Sequence, residues 1–161
     1  MALIIEDGSE VINANSFVTD LEYTTYATAK GLVVAATAEL REVDLFAGMD
    51  YLASKESYLQ GRRVSSTQAV LYPRIGVYIF GYSVASDAIP DNLKRSQMEA
   101  AAYSTSGTLL SNTEITNAQT EKLDTLSITY FKGGSTSTVN LQRVNVHLQP
   151  LLIDTNSLVR T

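Results

Sequence analysis

The chain contains no cysteine, and His147 is its one histidine in 161 residues. The first absence excludes a disulfide framework, thiolate metal sites and thiol nucleophiles. The second excludes a two-histidine metal site within one chain and would force any Ser/His/Asp triad through His147. That residue follows Val146 and precedes Leu148 on a predicted helical turn, a context that suits a structural or exposed histidine. No apolar run approaches the roughly 20 residues that span a bilayer. The N-terminus, MALIIEDGSE, lacks a basic region and turns acidic within its first residues, so no signal peptide is expected and a cytoplasmic origin is the default. Glycine-rich phosphate loops, HExxH, GxSxG and EF-hand loops are all missing. No catalytic residue, metal or cofactor is therefore expected, and the chain reads as a non-enzyme. No internal repeat and no domain linker is visible.

Cations are also in short supply. Twelve Lys and Arg face 17 Asp and Glu, a net charge of -5. A protein that gains its affinity by neutralising phosphates needs clustered cations, so the balance argues against that mode, although it suits a wall past which DNA slides without sticking. The length fits one domain, which at this size buries roughly 70% of its unfolded surface.

What is present reads as a small, mainly α (small α+β) fold: a bundle of about four helices, a short β element and a long ordered loop between the second and third helices. Residues 1–15 form an extended N-terminal arm, in which Leu3 to Glu6 is a brief strand or extended run closed by Asp7-Gly8. Thr19-Asp20-Leu21-Glu22 has capping-box spacing and opens a helix from about Asp20 to Lys30, with Gly31 at its end. Leu21, Tyr26 and Ala29 are its apolar positions. Thr37 caps a second helix to about Lys55, with Leu40, Val43, Ala47 and Tyr51 as its stripe, widened by Phe46, Met49, Leu52 and Ala53. Gly48 inside that helix marks either a close backbone approach or a lapse in propensity. Ile89-Pro90 starts the third helix, with Pro90 at its first position, and the helix runs to a stop at Gly107; Ala100 to Ala102 suit tight packing. Residues 111–121 read as a loop or weakly paired hairpin arm. Leu126, Ile128 and Tyr130 alternate as a half-buried strand, followed by a flexible GGSTST. Leu141, Val144 and Leu148 recur at helical spacing until Pro150.

Two groups of polar residues are candidates for a role. Glu39, Glu42 and Asp44 sit on the second helix, where a solvated face is the simpler reading than an acid/base pair with split pKa values. The more informative stretch runs from Tyr58 to Pro90, over thirty residues without a sustained period. It carries Arg62, Arg63 and Arg74 together with Tyr58, Tyr72 and other large apolar side chains, enough to bury that disorder is disfavoured. A guanidinium can hold several carbonyls or a carboxylate at once, so these arginines can brace the segment internally, meet a protein partner, or contact phosphate. Tyr58 and Tyr72 suit the first two roles alike.

The order of residues resembles a known family. LIIEDG…ANSFV, then Tyr58…Gly61-Arg62…Gln68-Ala69…Leu71-Tyr72-Pro73-Arg74, then Asp87-Ala88-Ile89-Pro90…Ala100 and finally Leu148-Gln149-Pro150-Leu151-Leu152 resemble the small head-to-tail connector (neck adaptor) proteins of tailed bacteriophages. Many relatives carry the label DnaT-like single-stranded-DNA-binding protein. Relatives often have tryptophan where Tyr58 and Tyr72 stand, and the match is poor from about Ser111 to Thr138. The resemblance implies a single adaptor domain over residues 1–161, repeated as a homo-oligomeric ring of twelve beneath the portal protein. It further implies a downstream tail or neck protein as partner, a place in the virion neck after assembly in the host cytoplasm, and DNA passing through the lumen without sequence-specific binding. No membrane partner is implied. The C-terminal tail, Asp154, Thr155, Asn156, Ser157, Leu158, Val159, Arg160 and Thr161, would dock onto the portal. The alternative implied by the label is a single-stranded-DNA-binding module, which would need an electropositive groove with stacking aromatics; Arg62-Arg63 near tyrosines is the hint of one.

Overall fold

The structure is a computed structural model and describes residues 2–110, 120–123, 126–129 and 141–153, the two strand segments by their backbone. Four α-helices, α1 (Asp20–Lys30), α2 (Ala38–Ala53), α3 (Asp91–Ser104) and α4 (Gln142–Leu148), are joined by three two-stranded antiparallel sheets, a small α+β fold. The residues form two units, one of 1–109 with 141–161 and one of 110–140. In the second unit β5 (Thr120–Leu123) pairs with β6 (Leu126–Thr129) in the register Glu121 to Ile128. The strand expected at Leu126 to Tyr130 is thus present through Thr129, and its partner lies at the end of the stretch read as a loop or hairpin arm. Tyr130 and GGSTST lie outside the described residues.

In the first unit α3 is the central helix, packed on α2, α4 and α1. α1 has the expected capping box: Thr19 accepts from the Glu22 N–H, the Glu22 carboxylate accepts from the Thr19 N–H at 2.7 Å, and Gly31 closes the helix in the left-handed region at φ 65°. Its buried face is Tyr23 and Ala27, whereas Leu21 is 75% exposed and Ala29 is also exposed. The expected stripe is displaced because α1 lays one narrow side on the cluster of Val18, Leu45, Met98 and Ala101.

α2 departs from its expected stripe in the same way. Leu40 and Val43 are exposed, and the inward face is Asp44, Leu45, Gly48, Met49, Tyr51 and Leu52. Gly48 explains the choice of face. A Cβ there would stand 2.8 Å from the Gln97 carbonyl oxygen and 3.2 Å from the Ala101 nitrogen, so the absent side chain lets the two helices approach and rotates the glycine side inward. Gly48→Ala is expected to destabilise by about 1–3 kcal/mol through overpacking, exceeding the roughly 1 kcal/mol that helix propensity returns; a denaturant titration measures it. Asp44, read as part of a solvated face, is instead buried and accepts hydrogen bonds from Ser104 Oγ at 2.7 Å and Thr105 Oγ1 at 2.9 Å. Sequence periodicity ranks a carboxylate as outward; these two hydroxyls at the end of α3 make its burial tolerable.

Pro90 is the N-cap of α3 rather than its first helical residue, with extended ψ 139°. Ala100 and Ala101 are fully buried, and Gly107 N–H reaches back to the Tyr103 carbonyl at 2.9 Å. Leu141, Val144 and Leu148 are buried along α4, and Pro150 lies in the short 3-10 turn that follows. The N-terminal arm is organised by a residue that sequence reading passed over. Glu6 is fully buried, and its carboxylate accepts the N–H groups of Gly8, Glu10 and Val11. The arm is then fixed to the helices by Gln97, which accepts from the Phe17 N–H at 2.9 Å and donates to Ser16 Oγ and the Leu45 carbonyl.

Candidate functional site

The segment between α2 and α3 is ordered, but it is less irregular than its sequence implies. It contains β1 (Arg62–Arg63) paired with β2 (Arg74–Ile75), and β3 (Tyr78–Ile79) paired with β4 (Tyr82–Ser83). Strands this short show no readable period of two. The Gly61 to Arg74 motif maps onto specific contacts. Gly61 sits at φ 68°, and a Cβ there would meet the Ile75 carbonyl oxygen at 2.2 Å, which only glycine avoids. Gln68 clips the loop, donating to the Val70 and Pro73 carbonyls and accepting from the Ser65 N–H. Leu71 and Tyr72 are buried, and the Tyr72-Pro73 bond is cis.

Arg74 is almost wholly enclosed. Its guanidinium donates to the Gln60 and Gly61 carbonyls at 2.8 Å each and to Glu56 Oε1 at 3.2 Å. Arg63 forms the bidentate pair with the same carboxylate, at 2.6 and 2.7 Å. Arg62 belongs elsewhere: its side chain is exposed and only its backbone joins the sheet, so of the three arginines that could brace the segment Arg63 and Arg74 do so and Arg62 does not. The two tyrosines also separate. Tyr72 is fully buried beneath the Arg74 guanidinium, 6.0 Å from its ring, and burial pushes its hydroxyl up to about 12. It offers nothing to a partner, whereas Tyr58 is 60% exposed. The segment is closed by the C-terminal end of the fold, where Gln60 donates to the Pro150 and Leu152 carbonyls and Ile153 N–H to Tyr58. The expected docking tail, 154–161, lies outside the described residues.

The hydrogen bonds from Arg63 hold the Glu56 carboxyl below its ordinary value of 4.5, with Arg74 adding to the effect. A depressed carboxylate stabilises the fold fully above its unfolded value and loses that contribution as pH falls through the folded one. The melting temperature of the wild type should therefore fall on acidification below about 4.5, and the gap between it and Glu56→Gln should close there; thermal melts of both across pH 3–7 measure this.

Beyond this brace, β3 and β4 present an aromatic tip. Phe80 and Gly81 both have positive φ, 51° and 85°, the handedness of a tight hairpin turn. Phe80 is 82% exposed and Tyr82 79%, with Tyr78 beside them.

A second polar assembly lies where α1, α3 and α4 meet. Tyr26 donates to Glu99 Oε1 at 2.9 Å, and its hydroxyl is 3.5 Å from Nε2 of His147. Burial, and then the bond to Glu99, push the tyrosine up to about 12. Burial pushes His147 below 6.5, with Glu99 opposing and Arg95 and Lys30 assisting, so this histidine is a half-buried junction residue. Around the junction stand four cations: Lys30 lies 5.8 Å from the Tyr26 ring centre, Arg143 lies 3.8 Å from Glu99, Lys94 lies 3.9 Å from Glu22, and Arg95 is exposed without an ion pair among the described residues. Sequence reading missed this group because Lys30, Lys94, Arg95 and Arg143 come from three distant segments. Among the described residues no group of three His, Asp or Glu is placed to hold a metal, and no helix is long and apolar enough to cross a membrane.

Residues 1–161, the whole chain, match the family model described as "Putative DnaT-like ssDNA binding protein". The chain belongs to this DnaT-like family. No curated protein and no solved structure matches it. The DnaT-like description directs attention to surfaces that could meet a nucleic acid strand. The central segment of this DnaT-like chain has spent two of its three arginines internally, whereas the α1/α3/α4 face keeps its cations near the surface.

Proposed function

We propose that the chain is a single-stranded-DNA-binding module and that the strand lies along the α1/α3/α4 face. The observation that carries the reading is the gathering of Lys30, Lys94, Arg95 and Arg143 around Tyr26, in a family whose description names that ligand. The overall charge of -5 limits the strength of such binding but does not decide its place, because exposed charges more than a screening length apart, about 8 Å at physiological salt, act largely independently. Four phosphate contacts would give a slope of log K against log salt of about -3. Fluorescence anisotropy with a labelled oligonucleotide at several salt concentrations tests this. Lys94→Glu with Arg95→Glu should weaken binding at least about tenfold and halve the slope. Arg62→Glu, on the central segment, should leave both unchanged.

A second reading is favoured by the aromatic tip. Exposed Phe80, Tyr82 and Tyr58, with the neighbouring Arg63 and Arg74 consumed by Glu56, suit protein contact better than phosphate contact, since aromatic anchors dominate protein interfaces. Together with the motif resemblance this supports a virion head-to-tail adaptor: a ring under a portal, with Asp154 to Thr161 as docking tail and the DNA channel inside. A ring that captures portal in negative-stain images, formed by a protein that binds no oligonucleotide, would replace the first reading with this one.

A further inference from the structure

Between α1 and α3 runs a groove of about 540 Å³. Its apolar lining is Val18 and Met98, both nearly fully buried, Tyr26, and Leu21, which is 75% exposed. Lys94 and Arg95 line it as well, together with two carboxylates, Glu22 and Asp91. We propose that this groove seats one base of the bound strand and selects bases that carry an exocyclic amine. The inference rests on the single-stranded-DNA reading and adds to it the chemistry of the preferred base.

Three features converge. Exposed Leu21 and the half-buried Tyr26 ring offer a surface on which a planar ring loses water, the role aromatic side chains take in other single-strand binders. Lys94 and Arg95, one helical step apart on α3, offer cations to the flanking phosphates. The carboxylates are hydrogen-bond acceptors only. Burial opposes the charge on Glu22, but the Thr19 hydrogen bonds and Lys94 together bring its carboxyl below the ordinary value, and Asp91, exposed in the first turn of α3, makes no side-chain hydrogen bond or ion pair among the described residues. An acceptor pair of this kind is matched by the N4 amine of cytosine, the N6 amine of adenine or the N2 amine of guanine, and thymine alone lacks such a group. Thymine has no exocyclic amine; its single imide N3–H lies between two carbonyl oxygens, so a carboxylate that accepts from it also meets like partial charges on both sides.

The experiment compares labelled dC and dT dodecamers, with dA as a third probe, by anisotropy on the full chain. Wild type should bind dC and dA about tenfold more tightly than dT, the discrimination expected of one base-edge contact. Glu22→Gln with Asp91→Asn should abolish the preference, because an amide both donates and accepts, while leaving the salt slope in place; glutamine also serves the capping box. Leu21→Ser, at an exposed position, should weaken all three probes by a similar few-fold factor. Equal binding of dC and dT by wild type overturns the inference and leaves the DNA reading standing. A preference that survives the double amide variant also overturns it. Binding of none of the oligonucleotides defeats the DNA reading itself, and the two failures are thereby told apart.

Discussion

Arg74→Ala should destabilise the protein by about 3 kcal/mol, the range found when one partner of a buried ionic network is removed. The Arg74 side chain is 7% exposed and donates to the carbonyls of Gln60, Gly61 and Leu71 and to one oxygen of the Glu56 carboxylate. Truncation leaves the Gln60 and Gly61 carbonyls without this donor, places Glu56 on Arg63 alone, and opens a void against Tyr72. Chemical denaturation measures the loss. Arg74→Lys should recover little of it, since one ammonium cannot reach four acceptors spread around a planar guanidinium. Unchanged stability with altered self-association would show that Arg74 acts at a contact between molecules instead.

Gln97→Leu should cost about as much, roughly 3 kcal/mol, for a different reason. No charge is involved, but the amide is fully buried and serves three groups at once: Phe17 N–H, Ser16 Oγ and the Leu45 carbonyl. Leucine fits the volume and leaves the Phe17 N–H and Leu45 carbonyl inside the fold without these partners, each costing about 1–3 kcal/mol. Gln97→Glu separates volume from chemistry. Its oxygen can still accept from Phe17, but it faces the Leu45 carbonyl with an acceptor, so it should be no better than leucine at neutral pH. Amide exchange of Phe17 reads the local effect and thermal melting the global one.

Most of the helices were legible in the sequence, because capping residues act locally. Thr19 with Glu22, Thr37, Gly31 and the 141/144/148 spacing each specify a start, stop or face through neighbours a few residues away. The inward faces of α1 and α2 were not legible. Gly48 and Asp44 look like interruptions of an apolar stripe until α3 supplies a backbone to approach and two hydroxyls to bind. The central segment was recognisable as ordered from its apolar content, yet the division of labour among its arginines depended on Glu56, which precedes the stretch and carries no local signal. Arg63 and Arg62 are adjacent, and the strand alternation sends one inward and the other to solvent. The cationic face could not be read at all from the one-dimensional order, since its members are separated by as many as 113 positions, from Lys30 to Arg143.

The path of the chain through α3 and α4 has a bearing on how this protein can vary. The first unit is left after residue 109 and re-entered at 141, and α3 and α4 pack together within it. Residues 110–140 are a unit of their own, inserted in the chain between these two helices. Closing a longer excursion costs only about 0.6 kcal/mol for each doubling of length, so insertions, deletions or a grafted peptide at 110–140 tax the framework far less than a single methyl group at Gly48.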